Sequence, residues 1–144
     1  MANPEHLDIL KEGVGVWNKW RDKNPDIIPD LKDAFLGQAD IRHANLKEAI
    51  LSHTDLRRAN LNYVDLRWAD LSNANLSGAF LNYADLRWAG LEDANLSGAA
   101  LKKAILRRTY ISRTIFEGTV FMSTILGEVD LSKAIGLQNV HHLG

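Results

Sequence analysis

"NLNYVDLRWADLSNANLSGA", Asn60 to Ala79, is followed at once by "FLNYADLRWAGLEDANLSGA", Phe80 to Ala99. Fifteen of the twenty positions are identical. A shorter period runs inside each copy. Stepping by five from Leu36 to Leu131 meets only Leu, Ile or Phe, at twenty positions. Two residues earlier in each unit, from Ala34 to Ala134, stand 14 Ala, 5 Thr and 2 Val. The residue between them is most often Asp or Asn, as in Ala69-Asp70-Leu71 and Ala74-Asn75-Leu76.

A period of five fits no helix. At about 100° per residue, five steps rotate about 140°, so the leucines would spread around the axis and form no stripe. A plain strand fails too, because a period of two sends successive five-step positions to opposite faces. A short extended piece succeeds. The small residue and the leucine, two apart, share its inner side, and the residue between them points out. The next two residues turn a corner. The twenty-residue copy makes four such sides one coil, so residue n stacks on n+20. The interior is then filled by Leu and Ala with no lumen for a cofactor, and function belongs to the outer face or the ends.

Tandem Ala-(Asp/Asn)-Leu-X-X over residues 29–135 resembles the pentapeptide-repeat proteins. The resemblance implies an all-β solenoid, a right-handed quadrilateral β-helix of about five coils. Around it the sequence predicts an α-helical cap over residues 1–28 and a C-terminal tail or cap over 136–144. Residues 4–23 read as one helix. Asn3 suits the cap, Pro4 the first turn, and Asn24-Pro25 the stop, while Gly13 and Gly15 weaken the middle. Leu7, Leu10, Val14, Trp17 and Trp20 form its apolar stripe. Trp17 and Trp20 are expected to plug the first coil, a partner site being the alternative. Residues 6–31 also resemble a leader found before many bacterial pentapeptide repeats. The tail VDLSKAIGLQNVHHLG, in which Gly136 breaks the register, resembles a segment that leads into a second domain in larger bacterial proteins, sometimes of a signalling type. That likeness suggests a truncated or stand-alone N-terminal module.

Composition narrows the function. The 144 residues suit one domain and carry a net charge of −1 with no cysteine. Thiolate chemistry is thereby excluded. No apolar run has the length of a membrane span, and the N-terminus lacks the basic start and apolar core of a signal peptide, so a cytoplasmic protein is expected. The five histidines fall apart along the repeat, and paired His141-His142 read as a solvated tail. No catalytic triad, phosphate-binding glycine loop or metal spacing appears. The sequence therefore predicts no enzyme, no cofactor and no metal. Between Ala and Leu, Asp and Asn are expected to bond nearby backbone. Asn75 and Asn95 should form an amide ladder. Asp65 and Asp85 should stack as like charges compensated by Arg67 and Arg87.

Some members of the resembled family imitate DNA and act on DNA gyrase. That role needs an acidic rod, yet residues 31–135 hold 13 basic and 12 acidic residues. The preferred reading is a protein-interaction scaffold. Its candidate face is Tyr63, Arg67, Trp68, Tyr83, Arg87, Trp88, Lys103, Arg107 and Arg108, joined by Asn62, Asn82, Lys47 and Lys102. These are residue types of interface hot spots. Nucleic acid is disfavoured, although aromatics beside Arg can stack on bases. Self-stacking without a partner, or copying by duplication alone, is the bland alternative. Thr109, Thr114, Thr119 and Thr124 replace Ala for a whole coil. That coil carries Tyr110, Ile115, Val120 and Ile125 at normally polar sites. These four are expected to be covered by the tail, by a second copy in a homodimer, or by a further domain.

Overall fold

A computed structural model describes residues 1–143. The repeat is a four-sided β-helix. Single-residue parallel bridges join n to n+20, from Asp30↔Ile50 to Ile115↔Ile135. The walls are too short to be strands in their own right. Among the described residues only β1 (Val120–Met122) and β2 (His141–Leu143) qualify.

The backbone of one unit explains the sequence pattern. Five N–H groups need partners. In the unit 69–73, Ala69 N–H donates to Leu66 O across a corner, Asp70 N–H to Ala49 O below, and Leu71 and Asn73 N–H to Gly90 and Glu92 O above. Ser72 N–H has no backbone acceptor, and Asp70 Oδ1 takes it at 2.9 Å. The same bond recurs from Lys32 onto Asp30 and from Arg67 onto Asp65. Asp and Asn occupy the outward position because they supply the one acceptor the ladder lacks. Asn75 and Asn95 do this too, each accepting from the serine two residues on, so the expected amide ladder does not form there. The second corner residue has positive φ in every unit from Asp33 to Glu128, between 52° and 68°. Glycine fills it at 78, 98 and 118, but Tyr63, Trp68, Tyr83, Trp88 and Arg108 fill it elsewhere.

Leu and Ala fill the inside. Leucines 46 to 106 are essentially fully buried, and the core ends at Phe121. Leu126 is half buried and Leu131 is 37% exposed, although the period places both inside. The reason is the ladder. Among the described residues Tyr110 has no bridge to Asp130, so this last stretch packs on one side only. Five threonines at the small position turn their hydroxyls down a coil. Thr54, Thr109, Thr114, Thr119 and Thr124 Oγ1 donate to the carbonyls of Leu31, Leu86, Leu91, Leu96 and Leu101.

The single helix expected over 4–23 is two. In α1 (Pro4–Glu12) Asn3 caps by accepting from Glu5 N–H, and Gly13, at φ 126°, ends it before α2 (Val14–Lys23) begins. Only glycine holds that backbone without strain. Trp17 is fully buried against the first coil, and Trp20 packs beside it with ring centroids 5.2 Å apart. The cap also acts through polar groups. Trp17 Nε1 donates to Asn45 O, Asn18 bonds both His43 O and Asn45 N–H, Arg21 reaches Ile27 O and Lys47 O, and Asp30 N–H donates to His6 Nδ1. These groups satisfy backbone that an open edge would leave bare. Past Gly136, β2 pairs with β1 as Val120↔His141, a register of n+21. The extra residue is taken up at Gly136 and the short 3-10 turn Leu137–Asn139.

Candidate functional site

The bridges Asn45↔Asp65, Asp65↔Asp85, Asp85↔Ile105 and Ile105↔Ile125 define one wall. The corner before it carries His43, Tyr63, Tyr83 and Lys103. The corner after it carries Glu48, Trp68, Trp88 and Arg108. The candidate face is therefore this wall with its two corner columns.

The tyrosine column is a ring stack. His43 and Tyr63 lie 4.9 Å apart and nearly parallel, and Tyr63 and Tyr83 lie 4.7 Å apart at 8°. Lys103 Nζ closes the stack 5.5 Å from the Tyr83 centroid. Coil spacing equals the strand spacing of about 4.8 Å, which fixes this stacking distance. Trp68 and Trp88 occupy the same corner in consecutive coils, and each ring is partnered by a cation. Lys47 Nζ lies 5.2 Å from the Trp68 centroid and Arg108 Cζ 4.7 Å from the Trp88 centroid. Tyr63 and Trp68 remain 50% and 48% exposed.

Between the columns the wall is ionic. Arg67 forks onto Asp65, with Nε to Oδ1 at 2.9 Å and Nη2 to Oδ2 at 2.6 Å, and its Nε lies 3.7 Å from Asp85. Arg87 forks onto Asp85 in the same way. The compensation expected of the stacked aspartates is present. Burial pushes the Asp65 carboxyl up, and the hydrogen bonds from Arg67 with the charges of Arg67 and Lys47 outweigh it, leaving it below the ordinary carboxylate value.

Asn62 and Asn82 belong to the fold. Phe80 and Ala100 stand where Asp or Asn would accept the corner N–H, so Asn82 and Lys102 N–H lack that partner. Asn62 Oδ1 takes the first at 2.9 Å and Asn82 Oδ1 the second at 3.0 Å, each from one coil below.

Charge on this surface is uneven. Arg42, Lys47, Arg67, Arg87, Lys102, Lys103, Arg107 and Arg108 lie on the wall and its corners, against Glu48, Asp65, Asp85 and Glu128. The rest of the repeat region is correspondingly acidic, a division that the near-zero total hides.

The end residues divide. Ile115 bridges Ile135 at the end of the regular ladder, and Val120 pairs with His141 of β2, so of the four only Val120 is reached by the tail past Gly136. Tyr110 and Ile125 stay exposed. Trp88, Arg108 and Tyr110 line one open cavity of about 450 Å³ with Glu92, Glu128 and Lys133, which joins the candidate face to the end. His6, Asn18 and Arg21, the polar arms of the cap, were not singled out by sequence reasoning. For His6 and Arg21 a signal was present, since with Leu10 and Trp17 they fall on one stripe of the single helix that the sequence suggests, whereas Asn18 lies off it. Among the described residues no three His, Asp or Glu side chains gather as a metal site, and no helix is long and apolar enough to cross a membrane.

The family model for pentapeptide repeats matches residues 39–78 and 69–108. No curated protein matches the chain. Among solved structures, the chain is similar to HetL, a pentapeptide-repeat protein involved in heterocyst differentiation regulation in the cyanobacterium Nostoc sp. strain PCC 7120. The two are 29% identical with a TM-score of 0.59 over 77% of this chain, which spans 56% of HetL. It is also similar to alr5209, a pentapeptide-repeat protein of Nostoc PCC 7120, at 29% identity and a TM-score of 0.54, covering 90% of this chain and 95% of that one. Such proteins form right-handed quadrilateral β-helices. With the five-residue interior, the n+20 ladder and both comparisons in agreement, residues 39–108 are pentapeptide repeats and the chain is built on the fold of pentapeptide-repeat proteins.

Proposed function

We propose that this chain is a non-enzymatic protein-interaction scaffold, and that its docking surface is the wall of Asp65, Asp85 and Ile105 with the two flanking columns. The observation that carries this reading is the combination of exposure and prior fixing in Tyr63, Trp68, Tyr83 and Trp88. Each ring is well exposed, yet stacking or a cation already holds it. A partner burying such rings loses little side-chain entropy on binding. Tyr, Trp and Arg are also the residues that dominate interface energetics.

The surface does not favour imitation of DNA. An acidic rod is required for that, and the acidic residues here are outnumbered on the one face rich in aromatics.

The test replaces Trp68 and Trp88 together by Ser. Circular dichroism should keep its β-helix signature. A protein captured from lysate by the wild type, identified by mass spectrometry and unaffected by nuclease, should be lost. Capture that persists in the double variant refutes this surface.

A further inference from the structure

The positive charge of the proposed docking face is not spread along it. In the middle coils it is spent locally, since Arg67 and Arg87 each fork onto an aspartate of their own. One coil further on, Asp gives way to Ile105 at the wall position, and the wall carboxylate is lost. Among the described residues Lys102 has no carboxylate partner, and Lys103 has only the Tyr83 ring. Arg107 and Arg108 share the single carboxylate of Glu128. These four cations sit at the corners on either side of the apolar wall positions Ile105 and its bridge partner Ile125, the latter 51% exposed.

Resting on the docking face proposed above, we infer that this end of it binds an extended acidic segment with interspersed apolar residues. Charge complementarity identifies the occupant. Carboxylates would meet Lys102, Lys103, Arg107 and Arg108, while alternate apolar side chains meet Ile105 and Ile125. Side chains of an extended segment alternate in direction with a period of two, which suits a floor and a rim of different chemistry. Nucleic acid fits less well. Single-stranded bases need open ring faces. Here Tyr63 is stacked between His43 and Tyr83, the outer face of Tyr83 carries Lys103, and Trp88 lies under Arg108. The tyrosine rings therefore offer chiefly their edges.

The experiment uses the full chain and three labelled probes in fluorescence anisotropy at low salt: a twelve-residue peptide alternating Asp and Leu, a hexaglutamate, and a single-stranded oligothymidylate. The alternating peptide should bind at least tenfold more tightly than either other probe. K102E/K103E should weaken it at least tenfold, and Ile125→Ser severalfold, with melting temperatures near that of the wild type. Equal or tighter binding of oligothymidylate overturns the inference in favour of nucleic acid, and equal binding of hexaglutamate overturns the role of the isoleucines. A peptide indifferent to K102E/K103E overturns the site. Failure of the peptide to bind, while capture of a protein still depends on Trp68 and Trp88, overturns this inference and leaves the docking face standing.

Discussion

Asn62 Oδ1 accepts the backbone N–H of Asn82, one coil above it, at 2.9 Å. The bond exists because Phe80 cannot supply the acceptor that Asp or Asn supplies elsewhere. Two residues conspicuous in both sequence copies are thereby explained by the ladder and not by a ligand. Asn62→Ala should cost about 1 kcal/mol, the usual loss for one such bond. Phe80 is exposed, so Phe80→Asp should cost little and, in the Asn62→Ala background, should recover most of the loss. Urea denaturation of the three variants checks this. Absence of recovery sinks the acceptor account.

Core and frayed end should differ sharply. Leu86 is 1% exposed in a column with no water, and a lysine there buries an unpaired charge. Leu86→Lys should abolish folding. Leu131 occupies the same place in the five-residue pattern but is 37% exposed, so a lysine there can reach water and Leu131→Lys should leave the protein folded. Equal damage from both, measured by thermal melting, contradicts the observed end of the core.

These contrasts show what the sequence could reveal. Leu, Ala and the twenty-residue copy disclosed the interior, since burial on a period of five admits few geometries. The corners were harder to foresee. Tyr63, Trp68, Tyr83 and Trp88 obey no turn chemistry, and only the ladder forces their positive φ. The break at Gly13 was half visible, since two glycines weakened the helix, but a pattern cannot say which one adopts φ 126°. The basic columns were legible once n was stacked on n+20, whereas the acidic remainder of the repeat is hidden in a net of −1 and emerges once the walls are sorted. The cation partners of Trp68 and Trp88 depend on rotamers that no spacing encodes.

The Asp65–Arg67 pair makes a pH prediction. Folding holds the Asp65 carboxyl below its ordinary value. A depressed folded pKa gives stability that is present above the unfolded value, about 3.9 for Asp, and lost as pH falls through the folded one. Wild-type stability should therefore fall on acidification below about pH 4. In Arg67→Gln the fork is gone and burial dominates, pushing the carboxyl up. That variant should be less stable at neutral pH and lose less of its stability on acidification through the same window. Denaturant midpoints across the window check the sign. A parallel loss in both proteins refutes it.

Gly136 is where the tail leaves the n+20 register. Its φ is 81°, and a Cβ built there would lie 2.8 Å from the Glu117 backbone nitrogen. Both features oppose a side chain: the left-handed backbone costs about 1–2 kcal/mol, and the neighbour is main chain, which cannot swing aside. Beyond this point Gly118 N–H donates to Asn139 O and His141 N–H to Thr119 O, and the Phe121 and His142 rings lie 5.8 Å apart. Gly136→Ala should release these contacts without unfolding the coils beneath, which hold their own ladder through Ile115 and Val120. Hydrogen exchange should quicken at Gly118 and His141 while Ile115 and Val120, bonded downward to Ala94 and Ala99, stay protected. Protection unchanged at Gly118 would mean that the glycine is not what admits the extra residue.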